Sequence, residues 1–177
     1  MLHLPFHHIG YVVDELEAAV HDAVARFGAG PFYVAEHMEF EECTFNGEPA
    51  VFDHSSAFGQ WGPVRIEFTV IHNTDPPELG QTMAPGPGHP HHVGIIVDSL
   101  EVASAQLEEN GLPVYHTGRT GPVSARYHDA RATLGHSIEL LQRNEFLTRL
   151  YKRIAASAED WDGSEPIRGM MEIAQAA

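Results

Sequence analysis

The chain has 177 residues, 43% of them hydrophobic, which is enough for one packed core or two tightly joined halves and excludes a disordered chain. Its 25 acidic and 10 basic side chains give a formal charge of -15, a surface that repels phosphate backbones and anionic lipid and so argues against nucleic acid or membrane as a partner. The lone cysteine, Cys43, excludes an intrachain disulfide, and neither a signal peptide nor an apolar run near the ~20 residues of a membrane span is present; a cytoplasmic location is expected. Arg119, Arg126 and Arg131 lie close enough in sequence to build a local basic patch.

From the N-terminus, residues 8–13 alternate as a strand does, with Ile9, Tyr11 and Val13 on one face and His8, Gly10 and Val12 on the other. Asp14 and Glu17 have the spacing of a capping box, and Leu16, Ala19, Val20, Ala23, Val24 and Phe27 form one helical stripe that Gly28 ends. Three extended stretches follow, at 32–40, 50–54 and 64–71. A linker over 73–89 is rich in proline and glycine.

The chain then repeats itself. Residues 7–18 and 91–102 share the skeleton His-His-x-Gly-x-x-Val-Asp-x-Leu-Glu, without a gap and at a constant offset of 84 residues. Asp98 and Glu101 repeat the cap, and extended stretches at 114–117, 124–131 and 136–142 repeat the strands. The expected organisation is two tandem βαβββ modules, about 6–72 and 90–143, within a unit spanning 1–143. A helical extension over 144–177 follows, with Leu147, Leu150, Tyr151, Ile154, Ala158 and Trp161 at helical spacing and a short last helix starting near Pro166.

Each module offers a histidine on its first strand, His8 or His92, and a glutamate on its last, Glu67 or Glu139. A glycine two residues after each histidine leaves room on the same face for a ligand beside it. Should the two sheets curl toward each other, two imidazoles and two carboxylates converge, a donor set suited to Zn, Ni, Co, Mn or Fe(II). One divalent ion would relieve the cost of burying both carboxylates.

The repeated His-[Ile/Val]-Gly-x-[Val/Ile]-Val-Asp-x-Leu and the closing Gly135-His136-Ser137-Ile138-Glu139-Leu140 resemble the vicinal oxygen chelate superfamily, which includes glyoxalase I, methylmalonyl-CoA epimerase, extradiol dioxygenases and bleomycin-resistance proteins. The resemblance covers about residues 6–143 and implies an α+β fold of paired βαβββ modules forming a cupped open barrel. It implies that His8, Glu67, His92 and Glu139 are the metal ligands, a set closest to the isomerase and lyase branch. Gly30-Pro31-Phe32-Tyr33 with Glu36-His37 looks like the epimerase-like subgroup.

The chemistry so implied is proton abstraction next to a metal-chelated carbonyl of a small oxygenated substrate. Glu139 and Glu67 are the leading candidates for the base and Glu36 a weaker one; Arg65, on the strand face of Glu67, is a candidate for binding a substrate carboxylate. His37 and His128 read as ordinary strand residues. The alternatives are an Fe(II) extradiol-type dioxygenase and a metal-free protein that binds a small molecule or antibiotic. One chain suffices for the site, and the C-terminal helix offers an apolar face to the barrel, to the cleft or to a homodimer.

Overall fold

The computed structural model describes residues 4–84 and 89–175. Residues 85–88 of the expected linker, and residues 1–3 of the N-terminal segment read above, lie outside the described residues. In chain order the elements are β1 (His8–Val12), α1 (Leu16–Phe27), β2 (Phe32–Glu39), β3 (Thr44–Phe45), β4 (Glu48–Pro49), β5 (Val51–Trp61), β6 (Val64–Asp75), α2 (Pro77–Met83) and β7 (His92–Val97). They continue with α3 (Leu100–Glu109), β8 (Val114–Thr120), β9 (Val123–His128), α4 (Arg131–Leu134), β10 (Ser137–Gln142), α5 (Glu145–Ser157), β11 (Ile167–Gly169) and α6 (Met170–Gln175).

The strands form one curled, open half-barrel sheet in the order β11-β2-β5-β6-β1-β7-β10-β9-β8-β3-β4. The duplication is visible in the pairing: β1 runs parallel to β6, and β7 runs parallel to β10. The two halves meet where β1 and β7 pair antiparallel, with His8 opposite Gly94 and Gly10 opposite His92. This seam brings both first strands, and therefore both last strands beside them, to the middle of the sheet.

Local details depart from the sequence reading. Both helices begin one residue later than the capping-box spacing suggests, with Glu15 and Ser99 at the N-caps in place of Asp14 and Asp98. Ser99 accepts the Val102 N–H through its hydroxyl, while Asp98 turns to Arg143. Both β5 and β6 extend further than expected, because each completes the other's backbone hydrogen bonds from Val51↔Asp75 to Trp61↔Val64. The span read as a linker therefore begins with strand and continues into α2, which enters through Pro77 in its first turn. The stretch read as 124–131 ends at His128, and Arg131 opens α4. Near Pro166, where a helix was expected, the chain first adds β11 in parallel to β2 and turns helical only at Met170.

Three apolar clusters hold the sheet. One packs α1 on the first module through Val20, Ala23, Phe32 and Ile66, and one packs α3 on the second through Leu100, Ala103, Leu107 and Leu140. The largest fills the other side, where Phe52, Tyr115, Tyr127 and Leu141 meet Leu147, Leu150, Tyr151 and Ile154 of α5. The i, i+3, i+4, i+7 spacing of those α5 residues buries one stripe, and Asn144 caps the helix by accepting the Leu147 N–H at 2.8 Å. The C-terminal extension thus closes over the cup. Among the described residues no helix is long and apolar enough to cross a membrane.

Candidate metal centre

His8 and His92 stand on the two seam strands, and Glu67 and Glu139 on the strands parallel to them. All four are buried. The structure brings one ligand-type atom from each within 4.8 Å of the others. The Nε2 atoms of His8 and His92 lie 3.1 Å apart. His8 Nε2 is 3.1 Å from Glu139 Oε2 and 3.5 Å from Glu67 Oε2; His92 Nε2 is 3.5 Å and 3.6 Å from the same two oxygens.

The glycines of the repeat explain how two imidazoles fit on neighbouring strands. A Cβ on Gly94 would overlap the His8 ring, and a Cβ on Gly10 would overlap the His92 ring. Each glycine makes room for the histidine of the other module, and not for a ligand beside its own.

Each of these histidines is held from behind by the histidine before it. His7 and His8 face each other through their Nδ1 atoms at 3.0 Å, and His91 and His92 do the same at 2.8 Å. That leaves both Nε2 atoms free to point at the centre. Burial, with the neighbouring His8, Arg65 and Arg143, pushes His7 down to about 3, and burial, with His92 beside it, pushes His91 well below the usual range. Both are therefore neutral and able to accept an Nδ1–H. His91 continues toward Tyr115 at 3.5 Å, whose hydroxyl meets Ser137 at 2.9 Å. The sequence reading used the second histidine of each His-His pair and missed the first, although its recurrence in both repeats was the available signal.

The carboxylates are held differently. Glu67 accepts from the Thr69 hydroxyl at 3.2 Å, and Thr69 is in turn 2.8 Å from Ser56. Glu139 Oε2 is buried without a hydrogen-bond partner, since His8 approaches it closely but out of line. Burial opposes ionisation of both, yet the His92 and His8 rings outweigh it and lower both pKa values, Glu67 to about 2. Burial likewise opposes the charged form of His92, and Glu139 and Glu67 outweigh it to raise its pKa.

This donor set fits a divalent ion. With metal–ligand bonds of about 2.0–2.2 Å, neighbouring ligand atoms stand roughly 2.8–3.6 Å apart in octahedral or tetrahedral geometry, which covers the spacings between the nitrogens and oxygens here. Two carboxylates and two imidazole nitrogens aimed at one point need a positive charge between them, and the orphaned Glu139 Oε2 marks where a ligand atom lacks its partner.

A cavity of about 220 Å³ opens beside Glu67 and Glu139. His54 and Tyr127 line it as well. Burial lowers the pKa of His54, whose Nδ1 has no hydrogen-bond partner, and raises that of Tyr127 well above 10, with Glu139 and Glu67 adding to the rise. Neither residue was singled out from the sequence.

Two expected site residues lie elsewhere. Glu36 is exposed and lines a groove with Asp14 and Glu15, not the cavity. Pairing of β2 with β5 is regular up to Ala35, so alternation sets Glu36 with Phe32 and Val34 on the α1 face and Ala35 on the cavity side; an irregularity in β2, with His37 at a positive φ of 48°, comes after it. Arg65 keeps the strand face of Glu67, but two residues of strand carry it roughly 6.6 Å along. It lines a groove with His7, Arg143 and Lys152 on which Tyr151 also borders, its guanidinium 5.9 Å from the Tyr151 ring centroid. His37 pairs with Asp53 on the surface, and His128 donates its Nδ1–H to the Leu112 carbonyl away from the cluster, as ordinary strand residues do. Arg119, Arg126 and Arg131 are each matched to a carboxylate, Glu41 and Glu42, Glu101, and Asp129, so they do not pool into a basic patch.

A duplicated βαβββ half-barrel with a polar cluster in its cup defines the class of this protein. The family model described as the glyoxalase/bleomycin resistance protein/dioxygenase superfamily matches residues 7–128, well over half of the chain, and the chain belongs to that superfamily. The match contains His8, Glu67 and His92 and ends before Glu139 and α5. No curated protein matches the chain in sequence. Solved structures with the same fold include a hypothetical protein from Bacillus halodurans C-125, with a TM-score of 0.56 and 16% identity over 80% of this chain and 95% of that one. A methylmalonyl-CoA epimerase has a TM-score of 0.54 and 16% identity over 82% of this chain and 100% of its own. The methylmalonyl-CoA epimerase from Mycobacterium tuberculosis has a TM-score of 0.54 and 16% identity over 84% of this chain and 96% of its own. At this identity the likeness is one of fold.

Proposed function

We propose that the protein is a divalent-metal-dependent isomerase, epimerase or lyase that removes a proton from the carbon next to a carbonyl. The observation that carries this reading is the convergence of His8, Glu67, His92 and Glu139, from four central strands, on one buried point beside a cavity. These four residues would hold the ion. When bound, a divalent cation supplies Lewis acidity, drawing electron density from a substrate carbonyl and acidifying the adjacent C–H.

The protein's own groups supply the rest. Glu139 is the leading base, because it is ionised, lines the cavity and lacks the hydroxyl partner that steadies Glu67. It takes the proton while the C–H electron pair becomes a C=C bond and the carbonyl π pair moves onto oxygen. Return of the proton from protonated Glu139 to the other face of the turned-over carbon inverts it; where that carbon bears a hydroxyl whose proton passes to the first oxygen, delivery to the former carbonyl carbon moves the carbonyl. Glu67 stands across the cluster held ionised, so it has no proton to deliver and would stay with the ion. Tyr127, opposite Glu139 in the strand register and held protonated, can donate a hydrogen bond to a substrate oxygen. The epimerases among the similar structures share the fold in which such a step is carried out, which supports the reading.

The test is metal content and proton exchange together. Protein purified without chelator is expected to carry about one equivalent of a transition metal, lost in His92→Ala and Glu139→Ala. The wild type should wash deuterium from D₂O into a hydroxyketone or 2-oxo thioester. Absence of metal after incubation with Mn, Co, Ni, Zn and Fe(II) would sink this function.

A further inference from the structure

We infer that the substrate is a compact, uncharged molecule with an apolar body of about one ring and two adjacent oxygens, and that the C-terminal extension builds the wall that selects it. This rests on the chelate reading of the same site and adds to it the identity of the ligand class.

Size comes first. The cavity beside Glu67 and Glu139 measures about 220 Å³. An apolar cavity of about 150 Å³ accommodates a benzene molecule, so this one takes a single ring with a short substituent, or a branched chain of similar bulk. Character comes second. Away from the carboxylates the wall is largely apolar, with Phe40, Phe58, Leu141, Leu147, Leu150 and Met170 contributing to it. Such a wall favours an apolar body in proportion to the area it removes from water.

Charge comes third. Among the described residues no lysine or arginine lines the cavity. Two glutamates balance the charge of one divalent ion, which leaves no net positive charge to receive an anionic group. Arg65, Arg143 and Lys152 lie in a separate groove, with Tyr151 and Leu147 bordering both spaces. A phosphate, or a carboxylate that does not itself chelate, would enter the cavity without a cationic partner, at the cost of burying an unbalanced charge.

The origin of the wall comes last. Leu147, Leu150 and Tyr151 belong to α5, and Met170 to α6. Both helices lie beyond residue 128, where the family match ends. The whole of one epimerase structure is covered by only 82% of this chain, so this protein has chain to spare over that fold. The extension packs its apolar stripe over the mouth of the shared cup and narrows it.

The experiment is calorimetric titration of the metal-loaded protein with 2-hydroxyacetophenone, with acetophenone and with methylmalonyl-CoA, alongside metal analysis of each sample. 2-Hydroxyacetophenone is expected to bind about tenfold or more tighter than either of the others. The variants Leu150→Trp and Ala125→Leu, which fill the cavity from α5 and from β9, should each weaken it by about tenfold or more with metal content unchanged. Two variants from different elements keep the result readable should one fail to fold. Equal or tighter binding of methylmalonyl-CoA, or stoichiometric metal with no binding of 2-hydroxyacetophenone, overturns this inference and leaves the metal site standing. Binding of 2-hydroxyacetophenone and acetophenone alike, without metal and still lost on filling the cavity, supports the apolar wall and overturns the chelate reading.

Discussion

Gly94 occupies the space beside His8 that any side chain would take from the imidazole, and Gly10 does the same for His92, so each module's glycine serves the other module's histidine. The relationship is reciprocal because β1 and β7 cross the seam antiparallel, which sets each histidine opposite a glycine. Gly94→Ala should therefore displace the His8 ring, reduce metal content and cost about 1–3 kcal/mol, as overpacking does. Elemental analysis and thermal unfolding of the variant check this; full metal occupancy with an unshifted midpoint would contradict it.

His7 and His91 hold the Nδ1 atoms of His8 and His92, and so fix which nitrogen faces the centre. Loss of such a partner is typically worth about 10–100-fold in metal affinity. His7→Ala and His91→Ala should each weaken metal binding by that order while leaving all four ligands in place. Competition against a chelating dye gives the number, and wild-type affinity in both variants would remove these histidines from the centre.

Stability of the metal-free protein should fall as pH drops below about 6.5, the ordinary histidine value. His7, held near 3, and His116, held near 4 by burial, join His54, His91 and His128, all lowered with burial as the first cause. An unfolded chain protonates these groups where the folded chain does not, so their contribution is complete above 6.5 and is lost as pH falls toward the folded values. Glu67 adds a further loss as pH falls from the ordinary 4.5 toward about 2. His92 has the opposite sign, its contribution fading as pH rises, but it stands against several. Melting temperature against pH for wild type and His116→Asn tests the account: the variant's slope below 6.5 should be shallower, and an unchanged slope would exclude His116 from it.

Ile154 is fully buried where α5 meets the largest core cluster. Ile154→Ala should cost about 2–5 kcal/mol, whereas Arg149→Ala, which removes only an exposed pair with Glu145 one turn away, should cost less than about 0.5 kcal/mol. Urea denaturation of both separates a helix that closes the cup from one that merely rests on it; equal small losses would show that α5 is not part of the core.

Much of this was legible in the sequence. The gapless repeat of His-His-x-Gly-x-x-Val-Asp gave the duplication, strand alternation set His8 with Gly10 and Glu67 with Arg65, and the pattern of apolar residues gave α1, α3 and α5. These features are local, being fixed by periods of two and 3.6 residues that the sequence carries directly. Glu36 was named from the likeness of its segment, whereas alternation along β2 sets it with Phe32 and Val34 on the face away from the cavity. β11 was read as helix because its pairing with β2 joins residues far apart in the chain.

The sequence by itself thus determined which four residues are chemically able to share a cation, and on which strands they sit. Only the tertiary structure decided that they meet within 4.8 Å, that His7 and His91 stand behind them, and that α5 walls the cavity in front. The reason is physical: residue type and period act over a few neighbours, whereas convergence depends on the curl of the whole sheet and on which edges and faces it leaves for the C-terminal chain to cover.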